Sequence, residues 1–156
     1  MKIYTSYFYQ IRFMNPNIIP MSTAVWDPKW YHDNKGKSYV YKDKNGTYIG
    51  LKADPFVPDE SCDGLCYGPE TCSSGDPSKC DFLRVYRKQL DSLDFDEVMS
   101  GLYNLAHFIK DQENLDIFPD IALIFHEAPN NPCSERWAVQ SWFRDHGYGI
   151  TEFNKD

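Results

Sequence analysis

The chain has 156 residues, 42% of them hydrophobic and 25% charged, and a formal net charge of −7 from 16 Lys+Arg and 23 Asp+Glu. That apolar content is too high for disorder, and the length suits a single domain, 1–156, with a real core. No apolar run nears the roughly 20 residues that cross a bilayer, and MKIYTSYFYQIRFM has no secretory h-region, so a cytoplasmic protein with no membrane partner is expected.

The charge is unevenly spread. Residues 1–56 hold eight basic and four acidic side chains, a balance of +4, whereas the remaining 100 hold eight and nineteen, a balance of −11. A uniformly nucleic-acid-coating surface is therefore excluded. A local basic face built from Lys29, Lys35, Lys37, Lys42, Lys44 and Lys52 is compatible with the count; the plainer reading is a solvated hairpin edge that discourages sheet-to-sheet pairing.

In chain order, residues 2–9 (KIYTSYFY) are β-branched and aromatic and read as a strand, and 18–25 (IIPMSTAV) as a second. Asp27-Pro28 then opens an aromatic loop with Trp26, Trp30 and Tyr31. SYVYKDKNGTYIGL places Asn45-Gly46 between two Tyr-rich runs, a strong hairpin signal. From Asp81 the pattern turns helical, with Leu83, Tyr86 and Leu90 on one face. Asp94 with Glu97 three residues on forms a capping-box pattern, and Phe95, Val98, Met99, Leu102, Leu105, Ala106 and Ile109 follow at helical steps. DIALIFHE (120–127) reads as a strand buried on both faces, and a last helix is expected from Pro132 to about His146, stopped by Gly147. Strand, loop and helix at 120–146 indicate an α/β layer fold.

Four of the five cysteines, Cys62, Cys66, Cys72 and Cys80, fall in CDGLCYGPETCSSGDPSKC with spacing C-x3-C-x5-C-x7-C, inside a cysteine-rich insertion at 58–81. Without an export signal disulfides are disfavoured, and four thiolates on a Gly/Pro-rich loop make a tetrahedral site. Zinc is the leading cofactor; an iron–sulfur cluster, and two disulfides or free thiols, are the alternatives. Asp59, Glu60, Asp63, Glu70, Asp76 and Asp81 surround the segment against Lys79 alone, which argues against a nucleic-acid-reading finger and for a structural staple.

The fifth cysteine lies in IALIFHEAPNNPCSERWAVQSWFRDHG. With Pro132 at the first helical position, Cys133 falls in the first turn, where the helix dipole favours a thiolate or an anion, and Arg136 lies three residues on. His126 and Glu127 end the preceding strand at its carboxyl edge, where open α/β sheets bind ligands. The catalytic candidates are therefore Cys133 as nucleophile or thiolate ligand, Arg136 as anion clamp, and His126 or Glu127 as acid/base. The plainer alternatives are a buried small Cys133, a core His126, and a Glu135 that pairs with Arg136 or caps the helix.

IIPMSTAVWDPKWY (18–31), YRKQLDSLD (86–94) and IALIFHEAPNNPCSERWAVQSWF (121–143) together resemble, in order, the bacterial and phage family called domain of unknown function 488. That family closes with a Cys-His-Arg motif, which here reads Cys133-Ser134-Glu135-Arg136, so no role of the histidine transfers. The resemblance implies a small Rossmann-like three-layer fold and a site at Cys133 and Arg136. It also makes the four-cysteine loop an elaboration of a phage-type subset. The leading functional expectation is an enzyme-like domain directed at a nucleotide, a phosphate-bearing ligand or a nucleic acid, with Ser22, Lys29 and Trp30 as further ligand-binding residues. The alternatives are a metal-stapled module for a protein partner, or an iron–sulfur redox sensor.

Overall fold

β-Branched and aromatic residues at the start of the chain form a strand, and the sheet assembles on both of its edges. The computed structural model describes residues 1–32, 40–65 and 75–155. Its strands are β1 (Ile3–Tyr7), β2 (Ile18–Ser22), β3 (Tyr41–Lys42), β4 (Tyr48–Ile49), β5 (Asp120–Phe125) and β6 (Thr151–Glu152). Its helices are α1 (Asp81–Asp91), α2 (Phe95–Glu113) and α3 (Glu135–Asp145). Four strands make one parallel sheet in the order β2-β5-β1-β6, and β3 and β4 form a separate antiparallel hairpin. The chain is thus α/β.

The apolar run of β5 ends up between β1 and β2, with Ile121 opposite both Ile3 and Ile19. Five of its six residues are buried, as a strand covered on both faces requires. Alternation along the strands then sorts the core. Ile3, Ile19, Met21, Ile121, Leu123 and Phe125 face the helices, while Ala122 and Ile124 face the hairpin side. All three helices contribute to the first cluster. The second is closed by Phe8, Ile11, Tyr31 and Ile49 instead of by helices. The three helices thus cover one face of the sheet, and the hairpin and turns cover the other.

α1 buries Phe82, Tyr86 and Leu90, four residues apart, so Phe82 takes the place expected of Leu83, which is only partly buried. α2 buries Val98, Leu102, Ala106 and Ile109, and the Asp94 carboxylate caps it by accepting from Glu97 N at 3.1 Å. β1 is shorter than the aromatic run suggests. From Phe8 to Phe13 the chain coils into a 3-10 turn that delivers Phe8 and Ile11 to the second core cluster. The hairpin strands are two residues each, joined by a turn in which Asp43 Oδ1 accepts from Asn45 N and Thr47 N at 2.8 and 3.0 Å. Gly46, at φ +78°, takes the left-handed position of that turn.

Of the four-cysteine segment, Cys62 and Cys80 are described and both are buried; Cys66 and Cys72 lie outside the described residues, as do Lys35 and Lys37. Among the described residues, no three His, Cys, Asp or Glu side chains are disposed to hold a metal, and no helix is long and apolar enough to cross a membrane.

Candidate active site

In a parallel sheet all strands end on one edge, and the loops leaving that edge supply the side chains that meet there. Two of those loops, with Pro58 from the segment after the hairpin, enclose a cleft of about 270 Å³. It is lined by Trp26 from the loop after β2, by Pro58, by Phe125, His126 and Glu127 at the end of β5, and by Glu135 in the first turn of α3.

The last helix is what brings the two carboxyl groups together. Ser134, not Pro132, marks its start: the Ser134 hydroxyl accepts from Arg136 N at 3.3 Å, and the helix runs from Glu135. The same hydroxyl donates to Glu127 Oε2 at 3.4 Å, which ties the helix cap to the end of β5. Glu135 is half-buried facing the cleft, and its carboxyl is pushed from 4.5 up to about 8, first by burial and then by the Glu127 carboxylate, with Arg136 opposing. His126 is exposed at the rim, where its Nε2 lies 2.6 Å from the Trp26 carbonyl and its ring packs against Phe8 at 5.0 Å. Trp26 itself is 82% exposed, an indole standing at the mouth with almost no packing of its own. The arrangement juxtaposes a carboxyl held protonated near neutrality, a second carboxyl, an imidazole and an exposed aromatic plane. A carboxyl raised this far by burial and a neighbouring carboxylate is suited to general acid chemistry.

Cys133 is corrected from its expected place. Because Ser134 caps the helix, Cys133 lies before the cap, in a turn where Ser134 N reaches Asn131 O at 3.4 Å. Its side chain is fully buried, so the helix-dipole activation expected of a first-turn thiolate does not apply.

Arg136 is likewise turned inward. It is fully buried, and its guanidinium donates to Glu127 O at 2.6 Å and Ser6 O at 3.0 Å. Its Nε stands 2.9 Å from Glu152 Oε1. Thr5 Oγ1 donates to that same carboxylate oxygen at 2.7 Å, and Gln140 Nε2 donates to Thr5 Oγ1 at 2.7 Å. Burial lowers the Arg136 guanidinium from its ordinary value and raises the Glu152 carboxyl, while their mutual attraction opposes both. An arginine so placed remains charged and ties β1, β5 and β6 to α3. It offers no accessible fork for an external anion, because burial closes it off.

The remaining expected ligand residues do not converge on Glu127. Ser22 is fully buried and donates to Asp27, whose side chain is 3% exposed and also meets His32 Nε2 at 2.7 Å and Lys52 Nζ at 3.3 Å. That cluster anchors the loop carrying Trp26. Lys29 is exposed, and Trp30 lines the hairpin side of the sheet. Glu135 and Trp26 are the cleft residues that sequence reasoning passed over. Glu135 was legible as a cap or an ion-pair partner, and Trp26 only as part of an aromatic loop.

No protein-family profile, curated protein or solved structure matches the chain.

Proposed function

We propose that the chain is a small α/β enzyme acting on a nucleoside or nucleotide, with the cleft at the carboxyl edge of the sheet as its active centre. The observation that carries this reading is the meeting of Glu127, Glu135 and His126 in one concavity beside the exposed Trp26. Glu135 donates a proton to the leaving or accepting atom, and Glu127, as the carboxylate, removes one. Trp26 offers a face on which a purine or pyrimidine stacks, the ring recognition open to any base. Two carboxyl groups at the cleft do not favour phosphate there, so the sugar or base is the part that enters, and a phosphate stays outside.

The test is a thermal-shift series with nucleosides and their monophosphates. A nucleoside is expected to raise the melting temperature of the wild type, and Trp26→Ala, Glu127→Gln and Glu135→Gln each to remove most of that rise. Stabilisation that is absent, or that survives all three changes, rules the cleft out.

The four-cysteine segment is read as a structural zinc staple. The donor set suits zinc, and the first and last thiols, Cys62 and Cys80, are both buried in the same core cluster as α1. Zinc would fix the fold of the loop and leave no open coordination position for chemistry. Elemental analysis of the purified, colourless chain is expected to give about one zinc per chain, lost when Cys66 and Cys72 are both changed to Ser. A brown chain containing iron would replace this reading with the iron–sulfur one.

A further inference from the structure

The face of the sheet opposite the helices carries a second concavity, of about 520 Å³, between the 3-10 turn after β1 and the hairpin. Its walls are aromatic, formed by Phe8, Tyr9, Trp30 and Tyr41, and Arg12 and Lys44 stand along it. Tyr9 and Trp30 are 50% and 44% exposed, an unusual display for residues that a monomeric core would otherwise absorb. The Arg12 guanidinium lies 3.8 Å above the Tyr9 ring, and Trp30 stands edge-on to Phe8 at 6.2 Å.

The two walls are pinned to each other rather than loosely apposed. Arg12 Nε donates to Tyr9 O at 3.0 Å, Asn45 Nδ2 donates to Arg12 O at 2.9 Å, and the Tyr41 hydroxyl donates to Trp30 O. The charge of the groove is cationic. Asp43, the acidic residue along it, turns its carboxylate onto the Asn45 and Thr47 backbone amides, whereas Arg12 and Lys44 are exposed. This cationic rim belongs to the first 56 residues, whose balance is +4, in a chain whose net charge is −7.

We infer that this groove holds a single strand of nucleic acid, with a base stacked on Trp30 and phosphates against Arg12 and Lys44, while the Tyr9 ring, covered by Arg12, holds that guanidinium in place. Stacking on aromatic faces along a cationic groove is the recurring physics of single-strand binding, and it tolerates any base. A proline-rich peptide also uses aromatic grooves, but it gains nothing from the two cations, so charge favours the polyanion. The inference deepens the nucleotide reading of the cleft and rests on it for direction: the Phe8 ring contacts Trp30 in the groove and His126 at the cleft rim. A strand in the groove would therefore deliver its end toward the carboxyl edge.

The experiment is fluorescence anisotropy of the full chain with a labelled oligo-deoxythymidine of about ten nucleotides, a length within the usual range for such sites. Saturable binding that weakens with salt is expected. Trp30→Ala should reduce affinity about tenfold, Trp30→Phe should retain most of it, and Arg12→Gln with Lys44→Gln should lower the salt slope by about 1.4. Melting curves of the variants separate lost binding from lost folding. No saturable binding, or binding that a folded Trp30→Ala variant keeps in full, overturns the inference. A Trp30-dependent complex with an uncharged polyproline peptide, and none with the oligonucleotide, overturns it in favour of a peptide. If the oligonucleotide binds through Trp30 while no nucleoside stabilises the chain through Trp26 and Glu135, the groove stands and the cleft reading alone falls. The reverse pattern removes the groove and leaves the cleft.

Discussion

Replacing Arg136 with methionine is expected to lower unfolding stability by about 3–5 kcal/mol, although the new side chain fills a similar space. The loss comes from what the guanidinium leaves behind. Glu152 would keep a carboxylate without its cation, and Glu152 Oε2 is already buried without a hydrogen-bond partner among the described residues. Glu127 O and Ser6 O would each lose their donor, at about 1–3 kcal/mol per buried group. The double change Arg136→Met with Glu152→Leu should recover only part of the loss, because it removes the stranded charge but not the two bare carbonyls. Urea denaturation of the wild type, the single and the double variant measures all three quantities. A single variant within about 1 kcal/mol of the wild type would mean that the arginine is not the tie among β1, β5, β6 and α3.

Glu135 should make the protein less stable as the pH rises through neutrality. Its carboxyl is raised from 4.5 to about 8 in the folded chain, so between those values the folded state holds a proton that the unfolded state has released. The unfolded state then binds fewer protons, and unfolding free energy falls with increasing pH across that window. The full interval corresponds to about 5 kcal/mol, and solvent contact at a half-buried residue reduces it to about 2–3 kcal/mol. Glu135→Gln keeps the shape and removes the charge. Relative to that variant the wild type should be similar in stability at pH 5 and clearly weaker at pH 9. Parallel stability–pH curves for the two proteins would show that Glu135 titrates as an ordinary surface carboxyl.

Much of the fold was legible because a few elements carry strong local signals. β5 carries a five-residue apolar run, 121–125, that has nowhere to go but the centre of the sheet, and α2 keeps its apolar residues at helical steps from Phe95 to Ile109. Asn45-Gly46 marked the hairpin turn. The start of α3 was misread because Pro132 suits a first helical position, yet the Ser134 hydroxyl offers a true cap two residues later. β6 is two residues long and pairs only through contact with β1, a long-range event that leaves no local pattern.

The site was legible in its address and not in its orientation. His126 and Glu127 were placed at the carboxyl edge by the strand that precedes them, and they line the cleft there. Whether an arginine three residues after Cys133 points outward or inward depends on Glu152, which reaches it only through the fold. Glu135 lies next to that arginine in sequence but faces the other way, toward a carboxyl eight residues upstream. Trp30 and Trp26 share one aromatic loop in the sequence, and the fold sends them to different concavities.

The most direct measurement is a carbon-13 NMR titration of the Glu135 carboxyl in the full chain, assigned by the signal that vanishes in Glu135→Gln. A midpoint near 8, moved downward when Glu127 is changed to Gln, is the expected result for a protonated acid poised beside a carboxylate in the cleft. A midpoint at the ordinary 4.5, unmoved by the Glu127 change, would contradict it.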